Sequence, residues 1–170
     1  MSTATAAPTA APTRAVVAFG ANLGDRAATL RAAAEELAAA DGVELVAIAP
    51  AIETAALRPE GVDPDAPAYL NTVAVLDTTL SPSALHAVLQ RLEDAHGRVR
   101  TTRWGDRTLD LDLIVFGELT QDDPVLTLPH PRAHERDFVL RPWLAADPDA
   151  VLPGHGRVDA LLAALERGAS

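Results

Sequence analysis

Residues 107–117 read RTLDLDLIVFG, and the alternation inside this run decides the architecture. Successive side chains of a strand point to opposite faces. Leu109, Leu111, Leu113 and Val115 therefore share one face, and Asp110, Asp112, Ile114 and Phe116 share the other. A run this apolar reads as a strand buried on nearly all sides. Yet it keeps two carboxylates roughly 7 Å apart on one face, at about 3.3 Å of rise per residue. Like charges at that spacing repel, so the strand calls for a compensating partner.

Working outward, AVVAF at 15–19 is a short apolar run ended by Gly20, the pattern of a second buried strand. GANLGD then supplies turn residues. Asp25 is placed to cap a helix over 26–40, with an apolar stripe of Leu30, Ala33, Ala34 and Leu37 and a stop at Asp41-Gly42. VELVAIAPAIE, 43–53, reads as one strand with Pro50 at a bulge or edge position. TAALRPEGVDPDAP, 54–67, carries prolines and a glycine without periodicity and is expected to be a long, exposed, mobile loop. YLNTVAVLDTT, 69–79, is a third strand. Ser81-Pro82 opens a second helix with the stripe Leu85, Val88, Leu89 and Leu92, which Gly97 ends. An arginine-rich loop over 98–108 leads back to the opening strand. The order β-α-β-β-α-β predicts an α+β fold in which one antiparallel sheet carries two helices on one face. Beyond it, a short helix over 136–145 and a C-terminal helix over 157–167, with the stripe Val158, Leu161, Leu162 and Leu165, are expected. Residues 1–14, MSTATAAPTAAPTR, have neither an apolar signal core nor an arginine-rich transit pattern and read as a disordered tail before a single domain at 15–170.

The chain of 170 residues has a formal charge of −10, which argues against nucleic acid as a partner, because such affinity rests on neutralised phosphates. No apolar run is long enough for a membrane span. Without cysteine there is no disulfide, thiolate nucleophile or thiolate metal site, and the cytoplasm is the default compartment. Without lysine there is no Walker A loop and no Schiff-base chemistry. Within this acidic background Arg98, Arg100, Arg103 and Arg107 fall within ten residues, opposed only by Asp106. One concentrated basic loop suits a small, highly charged anion.

Asp110 and Asp112 follow that loop directly. Acids at the start of a strand commonly cap amides or pair with arginine. Beside clustered guanidinium groups, however, they match what a metal–nucleotide complex needs: hard oxygens for Mg²⁺ and planar donors for phosphate. Two metal ions between such acids would offset their repulsion and the charge of a transferring phosphorus. Trp104, inside the arginine loop, serves either to anchor the loop or to cover a flat ring. Tyr69 and Asn71 share a strand face, and an asparagine amide offers one donor and one acceptor to a heterocycle edge. His130 and His134 have i, i+4 spacing, but prolines on both sides of His130 disfavour a helix there, so His130 reads as a hydrogen-bonding ligand contact rather than a metal ligand. Arg132 and Arg136 add positive charge to the same stretch.

With GRVRTTRWGDRTLDLDLIVFG at 97–117, LPHPRAHERDFVLRPW at 128–143, FGANLGD at 19–25 and YLNTVAVL at 69–76, the sequence resembles the 6-hydroxymethyl-7,8-dihydropterin pyrophosphokinases of folate biosynthesis. The resemblance implies a ferredoxin-like βαββαβ domain with extra C-terminal elements. It also implies transfer of the pyrophosphoryl group of ATP, with two Mg²⁺ ions, to the pterin hydroxymethyl oxygen, releasing AMP. Carried over by motif, Asp110 and Asp112 correspond to the magnesium ligands, with Asp112 as acceptor of the hydroxyl proton. Arg100 and Arg103 correspond to arginines that assist the transferring group. Glu93, Arg98, Arg107, His130 and Arg136 correspond to ATP contacts. Thr54, Leu57, Tyr69, Asn71, Trp104 and Phe138 correspond to the pterin pocket. ATP and the pterin are the expected partners, bound by a monomer. Ala55-Ala56 departs from the family, which usually has proline there, and RTTR at 100–103 is one residue shorter than in some members. Two other readings share the paired acids or the topology: a nucleotidyl transferase or phosphodiesterase, and a non-catalytic ligand-binding domain.

Overall fold

A computed structural model describes residues 11–58, 61–63, 65, 68–97 and 108–168. Strand β1 (Thr13–Ala21) leads into helix α1 (Arg26–Ala38), then β2 (Val43–Ile48), β3 (Ile52–Thr54), β4 (Ala56–Arg58), β5 (Gly61–Asp63) and β6 (Tyr69–Thr78). Helix α2 (Pro82–Ala95), β7 (Asp110–Phe116), a 3-10 turn (Ala133–Glu135), α3 (Asp137–Ala146), β8 (Val151–Leu152), β9 (Gly156–Arg157) and α4 (Val158–Gly168) follow. The main sheet runs β2-β6-β1-β7, every neighbouring pair antiparallel, and β3 extends β6 alongside β2. The fold is thus mixed α and β on an antiparallel sheet.

Local signals set the helix starts. The Asp25 side chain accepts a hydrogen bond from the Ala28 amide at 3.1 Å, and Ser81 accepts from the Ala84 amide at 3.1 Å with Pro82 at the first helical position. Each cap satisfies an amide that the first turn cannot. The stripe Leu30, Ala33, Ala34 and Leu37 is buried, as are Leu85 and Leu89. Together with Val17, Phe19, Leu76, Leu111 and Leu113 these residues form the layer between the sheet and α1 and α2.

Several elements differ from the expectation. The strand expected over 43–53 is broken into β2 and β3 around Pro50, which donates no ladder bond. The stretch expected to be an aperiodic loop holds a short hairpin, with Ala56 opposite Asp63 and Arg58 opposite Gly61. β1 begins two residues earlier than Ala15, at Thr13, because Arg14 pairs with Asp77 of β6 at 2.6 Å. Residues 1–10 of the expected tail lie outside the described residues. The sheet is covered on both faces: α3 and α4 lie on the second, where Val16, Val73, Val75, Ile114, Val139, Leu140, Trp143 and Val158 pack together. A bulge against β1 at Val16/Val17 exchanges the faces of the last two β7 residues, so Val115 joins this second layer and Phe116 joins the first. Among the described residues no helix is long and apolar enough to cross a membrane.

Candidate active site

The two acids of β7 lie on the second face, on the same side as Ile114. In register, Asp112 sits opposite Ala18 and Asp110 opposite Gly20 of the central strand β1. On the other side of β1, Gly20 is opposite Asn71 of β6. This end of the face holds polar residues because the apolar contacts of α3 and α4 concentrate further along the sheet, on Val16, Val73, Val75 and Ile114. Asp112 keeps 46% of its side chain exposed, so water screens the repulsion that the sequence posed, and Arg136 Nη1 stands 3.9 Å from its Oδ2.

Gly20 joins the two halves of the site. A Cβ there would lie 3.0 Å from Asn71 Oδ1, 3.7 Å from Tyr69 Cδ1 and 4.0 Å from the Asp110 Cβ. Its backbone is not in the left-handed region, so the glycine answers to close approach rather than to a turn. Sequence reasoning took Gly20 as the end of a strand; β1 in fact runs through it to Ala21. At the head of GANLGD it reads as the first residue of a turn, and nothing in that run marks the close approach. Substituting Gly20→Ala pushes on the Asn71 amide. We expect ligand affinity on the Asn71 side to fall about tenfold while stability changes by no more than about 1 kcal/mol, as a thermal melt and a ligand titration on one preparation will show.

Asn71 is 7% exposed, and its Nδ2 donates to Thr54 Oγ1 at 2.6 Å. That bond fixes which way the amide faces and leaves Oδ1 above Gly20. Thr54 and Tyr69 are direct partners where β3 pairs with β6, so Thr54, Tyr69 and Asn71 come together on adjacent strands.

The segment after β7 supplies the basic rim. The His130 amide donates to the Ile114 carbonyl at 2.8 Å, which holds the histidine next to the strand bearing the acids. The Arg132 amide donates to His130 Nδ1 at 3.2 Å, so the neutral ring carries its proton on Nε2. Burial pushes the His130 imidazole below the usual histidine range, against an upward pull from Asp112 and with Arg136 and Arg132 also lowering it. As the pH falls, the unfolded chain takes up this proton first. Stability is therefore lost on acidification from the ordinary histidine range down toward the lower folded value, and is unaffected above it. Thermal melts between about pH 7 and 5 should show a smaller loss for His130→Gln than for the unaltered chain.

The Arg136 guanidinium carbon lies 5.6 Å from the Phe138 ring centre. Burial lowers the Arg136 pKa while Asp112 and Asp110 hold it up, so this cation is partly desolvated and faces the acids. Of the other candidates, Leu57 lies on β4. Glu93 is only 4% exposed and belongs to α2, on the opposite side of the sheet from the two aspartates. Arg98, Arg100, Arg103, Trp104 and Arg107 lie outside the described residues. His134 stacks on His155 at 4.2 Å between ring centres, and among the described residues no three acidic or histidine side chains gather as a metal cage. Two neighbouring carboxylates on one strand face, that of Asp112 half exposed, fit magnesium, which takes one or two protein carboxylates and keeps room for waters and phosphate oxygens.

The family described as 7,8-dihydro-6-hydroxymethylpterin-pyrophosphokinase (HPPK) matches residues 16–148. A Pseudomonas aeruginosa protein named 2-amino-4-hydroxy-6-hydroxymethyldihydropteridine pyrophosphokinase is 41% identical over 151 residues, covering 89% of this chain and 91% of its own. A Mycobacterium tuberculosis protein of the same name is 42% identical over 167 residues, covering 91% of this chain and 85% of its own. Among solved structures, an HPPK-DHPS in complex with substrates superposes with a TM-score of 0.73 at 11% identity, which speaks for the fold alone. That alignment takes in 94% of this chain and 44% of the other. A Plasmodium falciparum HPPK-DHPS with pteroate gives 0.68 at 12% identity, with 93% and 44% covered. The family match spans the sheet strands and the polar end of the second face alike, and by it the chain belongs to the 7,8-dihydro-6-hydroxymethylpterin-pyrophosphokinases.

Proposed function

We propose that the chain transfers the pyrophosphoryl group of ATP to the hydroxyl of 6-hydroxymethyl-7,8-dihydropterin, releasing AMP, as a step of folate biosynthesis. The observation that carries this reading is the juxtaposition across Gly20: an oriented asparagine amide on β6 and a pair of carboxylates on β7, one residue of β1 apart. The amide offers Oδ1 and its remaining N–H to the flat, amide-like edge of the pterin, with Tyr69 and Phe138 as apolar neighbours of the ring. A ring held there extends its hydroxymethyl arm over Gly20 toward Asp110 and Asp112.

Asp110 and Asp112 would hold magnesium, two ions in this reading, which when bound neutralises phosphate charge and polarises the bridging oxygens. Asp112 is assigned as the acceptor of the hydroxyl proton, since its half-exposed carboxylate is open to an incoming alcohol and a carboxylate there lowers the cost of deprotonation. His130, neutral with its proton on Nε2, and Arg136 donate to the nucleotide. Arg98 and Arg107 are assigned to nucleotide phosphates, Arg100 and Arg103 to the transferring group, Trp104 and Leu57 to the pterin, and Glu93 to the nucleotide site. Transfer of this kind is mainly positioning plus electrostatics, so the chain's task is to bring the hydroxyl in line with the β-phosphorus and balance the charge.

The sheet order and its antiparallel pairing support a ferredoxin-like domain over 15–170. A monomer is the assembly assigned to it, and dependence on ATP supports the cytoplasm. Incubation with ATP, Mg²⁺ and the hydroxymethyl dihydropterin, followed by separation of the nucleotides, tests the reading. AMP in equal amount to pterin diphosphate supports it; ADP or free pyrophosphate as the nucleotide-derived product overturns it.

A further inference from the structure

Arg26 stands at the first position of α1, where a positive charge opposes the helix dipole and works against the favourable carboxylate of the N-cap Asp25. The charge therefore does nothing for its own helix. Its guanidinium is instead spent on two strands. Nη1 donates to the Ala68 carbonyl at 2.7 Å, and Nη2 lies 3.6 Å from Glu53 Oε2. Glu53 is in β3 immediately before Thr54, and Ala68 immediately precedes Tyr69 of β6. Thr54 and Tyr69 are paired where the chain leaves the sheet and returns to it, and Thr54 holds the Asn71 amide.

We propose that Arg26 is a positioning residue for the pterin pocket. It ties α1 to both strands at the point where they part, sets the spacing of the Thr54–Tyr69 pair, and through Thr54 sets the direction of the Asn71 amide. The inference rests on the assignment of Thr54, Tyr69 and Asn71 to the pterin. Arg26 is 30% exposed and Glu53 is 63% exposed, so the ion pair itself is weak, and the hydrogen bond to the carbonyl carries the constraint.

The test compares Arg26→Ala, Arg26→Lys and Asn71→Ala in the full chain, measuring pterin and ATP-analogue dissociation constants, kcat and thermal midpoint. Loss of one positioning hydrogen bond is expected to raise the pterin constant of Arg26→Ala about fivefold to twentyfold. The ATP-analogue constant and kcat at saturating pterin should stay within about threefold, and Arg26→Lys, which keeps one donor, should recover part of the loss. Unchanged pterin affinity in Arg26→Ala, or parallel loss of pterin affinity, nucleotide affinity and folding, overturns the inference. If Asn71→Ala binds pterin normally, the pocket assignment itself is wrong; if only Asn71→Ala loses it, the pocket stands and Arg26 plays no part.

Discussion

Replacing Asp112 with alanine will cut pyrophosphoryl transfer by about a thousandfold or more while pterin binding moves by less than about threefold. The magnitude combines loss of the proposed general base with loss of one of the two carboxylates that would hold the magnesium offsetting phosphate charge. The selectivity follows from placement. Asp112 is half exposed, faces Ala18 across the ladder, and stands 3.9 Å from Arg136, a separation at which an ion pair is weak. No core contact is lost, and removing one of two neighbouring negative charges relieves repulsion, so the thermal midpoint should hold or rise slightly. Single-turnover measurement of AMP, with a pterin titration on the same protein, separates the two effects. A uniform loss of binding and turnover would instead mark Asp112 as structural.

The second large effect is expected at Asn71. Its truncation to alanine removes both a donor and an acceptor from a site only 7% exposed and leaves Thr54 Oγ1 without its partner. Buried polar groups left unpaired cost about 1–3 kcal/mol each, so pterin affinity should fall about a hundredfold. ATP binding should barely change, because His130 and Arg136, proposed for the nucleotide, lie beside β7, on the other side of Gly20 from Asn71. Equilibrium titration with pterin and with a nonhydrolysable ATP analogue reads both numbers. Folding stability will also decline somewhat, since the Asn71–Thr54 bond closes β3 onto β6.

The sequence disclosed the secondary structure better than the surroundings of its polar residues. The stripes of α1 and α2 and their caps follow from spacing and residue type, and the acids of β7 stand out against an apolar run. Where β7 meets β1 the period-two reading fails after Ile114, because a bulge depends on the partner strand and leaves no mark in either segment alone. The break between β2 and β3 was signalled by Pro50, but the sequence did not say that pairing would resume at Ile52. Glu93 is four residues beyond Leu89 and eight beyond Leu85, so helical spacing already put it on the buried stripe. Residue type alone points the other way, because acids are rarely buried. Gly20 and Arg26 were the least legible. Both act through residues about 27 to 90 positions away, brought near by strand register and by the packing of α1, and such pairings are invisible until the elements are ordered.

In the proposed site, magnesium held at Asp110 and Asp112 meets the nucleotide beside a pterin oriented by Asn71. A crystal structure with magnesium, a nonhydrolysable ATP analogue and the pterin tests it most directly. Carboxylate oxygens of both aspartates are expected at about 2.0–2.1 Å from magnesium, with the Asn71 amide hydrogen-bonded to the pterin edge. Aspartates without metal, or a pterin bound away from Asn71, would contradict it.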